Sequence, residues 1–321
     1  MSRFLITRLA QSAVVLTIMS FVIYCLIGLM PGDPIDIMIS TDPNMTSAEA
    51  DRLRALQGLD RPLLERYASW LGGALSGDFG TSRIHAKPVL DVLLPALSHT
   101  ALLMGASFIL ALAIALPAGI YAALRPYSMA DYSINLLAFA GISVPPFWLG
   151  LLLIIIFAVI LGVLPAGGVG ADGIGLMWQD LQYLVLPVVS LTIASIGSHT
   201  RFMRASMIDT LRQDYIRTAW AKGLDQKGVV FHHALRNAML PVVTVIALDF
   251  GYLFSGALIT ETIFSYPGMG KLIFDSIMGN DFNLAMISLL FATMLTLLGN
   301  FMADVTYVWL DPRISFREVE K

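Results

Sequence analysis

Few side chains in this chain could do chemistry, and most are poorly placed for it. His99, His199, Asp249 and Asp304 stand inside or beside apolar stretches. They are raw material for an ion relay or a membrane-embedded catalytic site, but no H-E-x-x-H, G-x-S-x-G or cysteine pair accompanies them. His232 and His233 are adjacent, so on a helix they point about 100° apart, a poor geometry for a shared metal. Gly168-Val-Gly170-Ala-Asp-Gly173 has the form of a dinucleotide loop. That fingerprint needs a strand before it and a helix after it, whereas an apolar run precedes it here, so it reads as a flexible turn. Gly268-Met-Gly270-Lys271-Leu272 is a weak echo of a phosphate loop: the first glycine is missing at the required spacing, and Leu272 stands where Ser or Thr must bind the metal. The chain is therefore expected to bind no metal, cofactor or nucleotide of its own. What remains is charge: Arg212, Arg217, Lys222, Lys227 and Arg236 gather in one polar segment between two apolar runs.

The elements around that segment follow from composition. The chain is 57% apolar and 13% charged, with a mean hydropathy of +0.75. Soluble domains carry about 25% charged residues. A net charge of −3 argues against nucleic acid as a partner. A bilayer crossing needs about 20 apolar residues. Runs of that order at 9–30, 100–124, 142–164, 184–203, 240–260 and 284–310 predict six transmembrane helices in one unit, residues 1–321. The third run begins at 134. A straight helix over 134–164 would reach about 46 Å, so Pro145-Pro146 is expected to break or kink it, leaving 142–164 to span. The first run exceeds a signal-peptide core and lacks a small-x-small cleavage site, so an uncleaved helix is expected. Lone Cys25 reads as core packing.

Lys and Arg in the short loops set orientation. One side collects Arg3, Arg8, Arg125, Arg201, Arg204, the 212–236 cluster, Arg313, Arg317 and Lys321; the short loops on the other carry Lys271 alone. Loops longer than about 60 residues cross regardless of charge, so the basic residues of 31–98 do not overturn the asymmetry. Both termini and the loop 204–239 are expected on the cytoplasmic side, and the loop 31–98 outside. In that outer loop Thr46-Ser-Ala-Glu49 has capping-box form and predicts a helix from Ser47 to Gln57. A second is expected from Pro62 through Trp70, ended by Gly72-Gly73. Its apolar residues are too few for an independent core. They suit a lid on the outer helix ends, a docking platform for an extracytoplasmic protein, or both.

The basic segment has internal design. Ile208, Leu211, Tyr215, Ala219 and Gly223 recur every three or four residues and predict one apolar stripe on a helix. Gly223 can end that helix in the left-handed conformation, Asp225 can cap a second, and Pro241 suits the first turn of the fifth span. The product is an elbow suited to a groove in a soluble partner. The other reading is two helices lying on lipid headgroups. Asp214, Asp225 and the small Ala219 and Gly223 favour protein.

Arg217-Thr218-Ala219-x3-Gly223 resembles the Glu-Ala-Ala-x3-Gly core of the coupling loop of ABC-importer permeases, with Arg-Thr in place of Glu-Ala. The departure resembles the dipeptide/oligopeptide branch of that family, as do Pro31-Gly-Asp-Pro34, Gly58-Leu-Asp-Arg-Pro62, Gly77-Asp-Phe-Gly80, Ser143-Val-Pro-Pro-Phe-Trp148 and Glu261-Thr-Ile-Phe-Ser-Tyr-Pro-Gly-Met-Gly270. The order and spacing of these motifs, rather than any one of them, carry the likeness along nearly the whole chain. The resemblance implies the type I importer permease fold in a bacterial-type inner membrane. It also implies a second permease, two ATPase subunits that hydrolyse the ATP, and an extracytoplasmic binding protein. Arg217, Thr218, Ala219, Gly223, Leu224, Asp225 and Asn237 would then couple to the ATPases. Asp249 and Asp304 are candidate pathway residues. Two alternatives remain open at this point: a stand-alone secondary transporter using Asp249 and Asp304, and a membrane-embedded enzyme. No internal repeat is evident, which argues against the inverted-repeat transporters.

Overall fold

The computed structural model describes residues 2–29, 46–56, 60–170, 178–252 and 258–310. Pro31-Gly-Asp-Pro34, Gly58, Leu59, Gly173, Arg313, Arg317 and Lys321 lie outside the described residues. In chain order the elements are α1 (Ser2–Gly28), α2 (Ser47–Leu56), α3 (Leu63–Leu75), β1 (Thr81–Ser82), β2 (Lys87–Pro88), α4 (Val89–Leu124), α5 (Met129–Ser143) and α6 (Pro146–Ile160). Then follow α7 (Trp178–Leu211), α8 (Asp214–Ala221), α9 (226–252), α10 (Leu258–Ile263), α11 (Met269–Met278) and α12 (Phe282–Leu310). This is an all-α membrane protein. Among the described residues α1, α4, α7, α9 and α12 are long and apolar enough to cross a bilayer, and α5 with α6 makes a sixth span if the bent pair counts as one.

That pair corrects the third expected span. Residues 142–164 are not one helix. α5 already starts at Met129, and α6 leaves it at an angle of 98°. Val144 is extended, at φ −86° and ψ 122°, because the following proline ring excludes the helical region. Pro145 and Pro146 then supply no N–H to continue the ladder. Other boundaries move for related reasons. α4 begins at Val89, within the expected outer loop. α3 passes through Gly72-Gly73 and ends at Leu75, just before Gly77 takes φ +88°. Pro241 lies inside α9 rather than at its start.

The chain forms two compact units, Met1–Leu97 with Lys271–Met294, and Ser98–Gly270 with Leu295–Lys321. In the first unit, α3 lies on α1. The Tyr67 and Trp70 rings meet Phe21 and Tyr24, and the Ser20 and Tyr67 hydroxyls are 2.7 Å apart. Trp70 also packs on Ile23, Ile27, Ala285 and Met286, and on Val89, Leu93, Leu284 and Ile287. α3 thus packs its half-buried aromatics against neighbouring helices rather than in a core of its own. β1 and β2 pair antiparallel, Thr81 opposite Pro88. Buried Asp281 locks this hairpin, accepting from the Ser82 hydroxyl at 2.6 Å and the Ile84 N–H at 3.0 Å. Its other oxygen accepts from the Leu284 N–H at 3.3 Å and caps α12. Thr46 and Glu49 form the expected capping box: the Thr46 N–H donates to Glu49 at 3.0 Å, and the Glu49 N–H to the Thr46 hydroxyl at 3.3 Å.

In the second unit, α5 crosses α7 with backbones nearly touching. A Cβ on Gly141 would stand 2.8 Å from the Ile193 carbonyl, and one on Gly197 would strike the Ala138 carbonyl. Small residues at such crossings replace the hydrophobic drive that lipid removes. The glycines of the phosphate-loop echo have a packing role too. Gly268 and Gly270 lie against the buried carboxyl of Glu261, where side chains would collide. The Thr100 hydroxyl donates to Glu261 at 2.6 Å and accepts from the Met269 N–H at 2.7 Å. Tyr266 donates to the His99 carbonyl at 3.2 Å, and burial pushes its phenol well above the usual range, so it stays a neutral donor.

Candidate functional site

The apolar stripe expected on one helix over 208–223 is divided between two. α7 ends at Leu211, Gln213 donates to the Thr210 carbonyl at 3.1 Å, and α8 starts at Asp214. The break rotates the buried face. Ile216 is 1% exposed and Ala219 4%, whereas Tyr215, placed on the apolar stripe by spacing alone, is 43% exposed. Asp214 sits in the first turn of α8, where its charge complements the helix dipole.

Gly223 ends α8 as expected, with φ +80°. The Leu224 N–H donates to the Ala219 carbonyl and the Gly223 N–H to that of Trp220, at 3.4 and 2.9 Å. This six-to-one, five-to-two pair is the Schellman arrangement, which satisfies the last helical carbonyls. No atom lies within 4 Å of a Cβ at Gly223, so the glycine is required by backbone conformation and not by space. Asp225 then caps α9, its carboxylate accepting from the Gly228 N–H at 3.0 Å. α9 opens with a π-helical stretch, Val229–Ala234. The wider turn suits the five-residue step from buried Val229 to Ala234, before four-residue steps to Ala238 and Val242.

These side chains form one cluster. Ile216, Ala219, Val229, Val230, Ala234, Ala238 and Val242 pack with Ala123, Met203 and Met207. Full burial of a side chain such as Ile216 contributes about 1.5–3 kcal/mol where the alternative is water. The Ser206 hydroxyl adds a 2.6 Å bond to the Ala238 carbonyl, joining α7 to α9. Nearby, Arg204 grips buried Asp131 through two bonds of 2.6 Å, pinning the start of α5 to α7. The elbow is thus continuous with the membrane helices on both sides.

Of the residues singled out by motif, Ala219 is buried in the cluster, and Gly223 and Asp225 shape the turn. Arg217 and Thr218 are exposed; they bond to the side chain and the carbonyl of Asp214. Leu224 is exposed. Asn237 is exposed on α9, its amide donating to the His233 carbonyl at 2.8 Å. Tyr215, Trp220 and Phe231 are also exposed at the elbow; sequence reading placed Tyr215 on the buried stripe and passed over Trp220 and Phe231. For Trp220 the signal was available: an aromatic residue off the small-residue face of a short amphipathic helix. Asp304 lies half-buried on α12. Asp249 is not isolated: its Oδ2 is 3.1 Å from Nε2 of His199. His99 is engaged elsewhere, its Nδ1 3.0 Å from the Pro267 carbonyl. Among the described residues no group of three or more His, Cys, Asp or Glu is placed to hold a metal ion.

Comparison with known proteins extends this geometry. The model of the family "Binding-protein-dependent transport system inner membrane component" matches residues 115–316, and that of its N-terminal region matches 1–101. The oligopeptide transport system permease protein AppB of Bacillus subtilis is 40% identical, over 98% of this chain and all of that protein. The di/tripeptide permease protein DppB of Pseudomonas aeruginosa is 36% identical, over 91% of this chain and 92% of its own length. The glutathione permease protein GsiC of Escherichia coli K12 is also 36% identical, over 99% of this chain and all of its own. None of this supports the stand-alone transporter or the membrane enzyme.

Proposed function

The chain belongs to the family of inner-membrane components of binding-protein-dependent transport systems, and from that premise we propose that it forms half of the pathway of an ATP-driven importer of short peptides or peptide-like solutes. Its partners in this reading are a second related permease, two ATPase subunits and an extracytoplasmic binding protein. The elbow docks in the ATPases, with Trp220, Tyr215 and Leu224 as apolar contacts and Arg217, Thr218 and Asn237 around them. Ala219, Gly223 and Asp225 hold its shape. The observation that carries this is the shared cluster of α7, α8 and α9. A displacement imposed on α8 moves both membrane helices together, which is how an ATPase closing on ATP would switch the pathway between its two faces. The energy comes from ATP bound by the partners. Names of the relatives support peptide-like cargo, and the glutathione permease keeps the class broad.

Reconstitution with the neighbouring permease, ATPases and binding protein tests this, by uptake of labelled di- to hexapeptides. Uptake that persists without the ATPases overturns the mechanism. Robust uptake of a sugar or metal chelate, with none of any peptide, overturns the cargo. Orientation, with both termini cytoplasmic, is tested by single cysteines at exposed Val163 and Lys222 after replacement of Cys25. Gly170 is unsuitable as a site, because a side chain there would collide with Asp180. An impermeant thiol reagent on intact cells should label position 163 only.

A further inference from the structure

The pair His199–Asp249 joins α7 to α9, the two helices that flank the elbow, and its two halves sit in different environments. His199 is 4% exposed and Asp249 42%. The imidazole has neighbours on three sides, and its buried Nε2 makes no aligned hydrogen bond to any of them. Its Nδ1 is 2.9 Å from the Ser195 carbonyl, its Nε2 is 3.1 Å from Asp249, and the Phe108 ring meets it edge-on at 6.1 Å. A backbone carbonyl has no proton to give, so Nδ1 carries one. A neutral ring protonated on Nδ1 would turn a lone pair toward the carboxylate. Nε2 lies at ion-pair distance from Asp249 but is not aligned for a hydrogen bond, so a proton on Nε2 would compensate the carboxylate by charge while leaving its lone pairs able to accept. The open side of Asp249 does not suit hydrocarbon, since carboxylates within membrane segments face a cavity, a pathway or a partner.

We propose that Asp249 is a way-station for the protonated amino group of the transported solute, and that His199 is its positioning residue. The proposal rests on the import of peptide-like cargo argued above. The chemistry suits a pathway. A bare carboxylate would hold an ammonium group too tightly to release it. A carboxylate already compensated by His199 offers a partial negative charge that attracts the cation and lets it go, the balance that conduction requires. Its position on the helix that leaves the elbow also gives the site a means of moving when the ATPases close.

The test uses the reconstituted complex, with its binding protein, and compares a tripeptide with the same tripeptide acetylated at its N-terminus. The binding protein is common to every variant, so its own preference cancels. Asp249→Asn should lower the ratio of free to acetylated uptake by roughly tenfold, as expected for loss of one hydrogen bond to a charged group. His199→Ala uncovers the carboxylate, so the free peptide should show a lower kcat without a higher KM. His199→Ala combined with Asp249→Asn should recover turnover without recovering the preference. Co-purification with the partner permease reports assembly, and Asp249→Glu, which keeps the charge, should keep the preference should Asn impair assembly. Wild-type discrimination in Asp249→Asn, or loss of it in Asp249→Glu, overturns the way-station and leaves peptide import standing. Absence of any peptide uptake by the wild type overturns both.

Discussion

The elbow at 212–241 and the segment at 60–98 are both polar connectors between apolar helices, yet they are held in opposite ways. The elbow is built from a continuous apolar cluster, one left-handed glycine and one cap. The 60–98 segment is fastened by local polar locks, chiefly Asp281 on the hairpin, and by the aromatic seam of α3 on α1. Packing through a shared cluster transmits force, because interiors are dense and barely compressible. Discrete hydrogen bonds can be released one at a time. The first construction suits a lever, and the second a lid that opens locally.

The contrast is most exposed at Gly223. Gly223→Val should abolish solute-stimulated ATP hydrolysis while leaving membrane insertion intact, because a β-branched residue at φ +80° is strained by about 1–3 kcal/mol. Gly223→Asn, which tolerates that region, should retain most coupling. Wild-type coupling in the valine variant would mean that the elbow is no lever.

A smaller loss is expected at Trp220, which is 47% exposed. Exposed aromatics that anchor an interface cost about 2 kcal/mol or more when truncated, roughly thirtyfold in affinity. Trp220→Ala should weaken ATPase binding in pull-down titrations by that order, and Arg217→Ala by far less. Equal effects would place the docking energy in the charges instead.

Asp281→Ala tests the other region. It leaves the Ser82 hydroxyl, the Ile84 N–H and the Leu284 N–H without their acceptor, a local cost of about 1–3 kcal/mol. Limited proteolysis should then cut faster within 81–88, while basal ATP hydrolysis is unchanged. Uncoupling as severe as that of Gly223→Val would erase the distinction between lever and lid.

The smallest effect concerns α2. The Thr46 N–H, and then its hydroxyl, hold the Glu49 carboxyl below its ordinary value of 4.5. A depressed folded-state value means that the support is complete above pH 4.5 and fades as pH falls through the lower folded value. Hydrogen exchange of the α2 amides, corrected for intrinsic rate, should be flat down to that pH and rise below it. Glu49→Gln should remove the dependence. An unchanged profile in the glutamine variant would assign the effect elsewhere.

Features set within four or five residues were legible in the sequence. The Thr46–Glu49 box, the left-handed Gly223, the Asp225 cap and the break at Pro145 all depend on neighbouring φ/ψ and hydrogen bonds, and the structure contains each. Family motifs added the role proposed for the elbow. Local signals failed where packing outweighed them. Pro241 and Gly72-Gly73 look like helix ends, but their helices continue through them. Tyr215 and Ile216 exchange faces because a two-residue break rotates α8 relative to α7. Only the tertiary structure decided which distant polar groups meet: Asp131 with Arg204, Ser82 with Asp281, Thr100 with Glu261, His199 with Asp249. Their sequence separations run from tens of residues to about two hundred, and no periodicity encodes such a partner. A buried charge must find a counterpart, but which one it finds is set by how the helices cross.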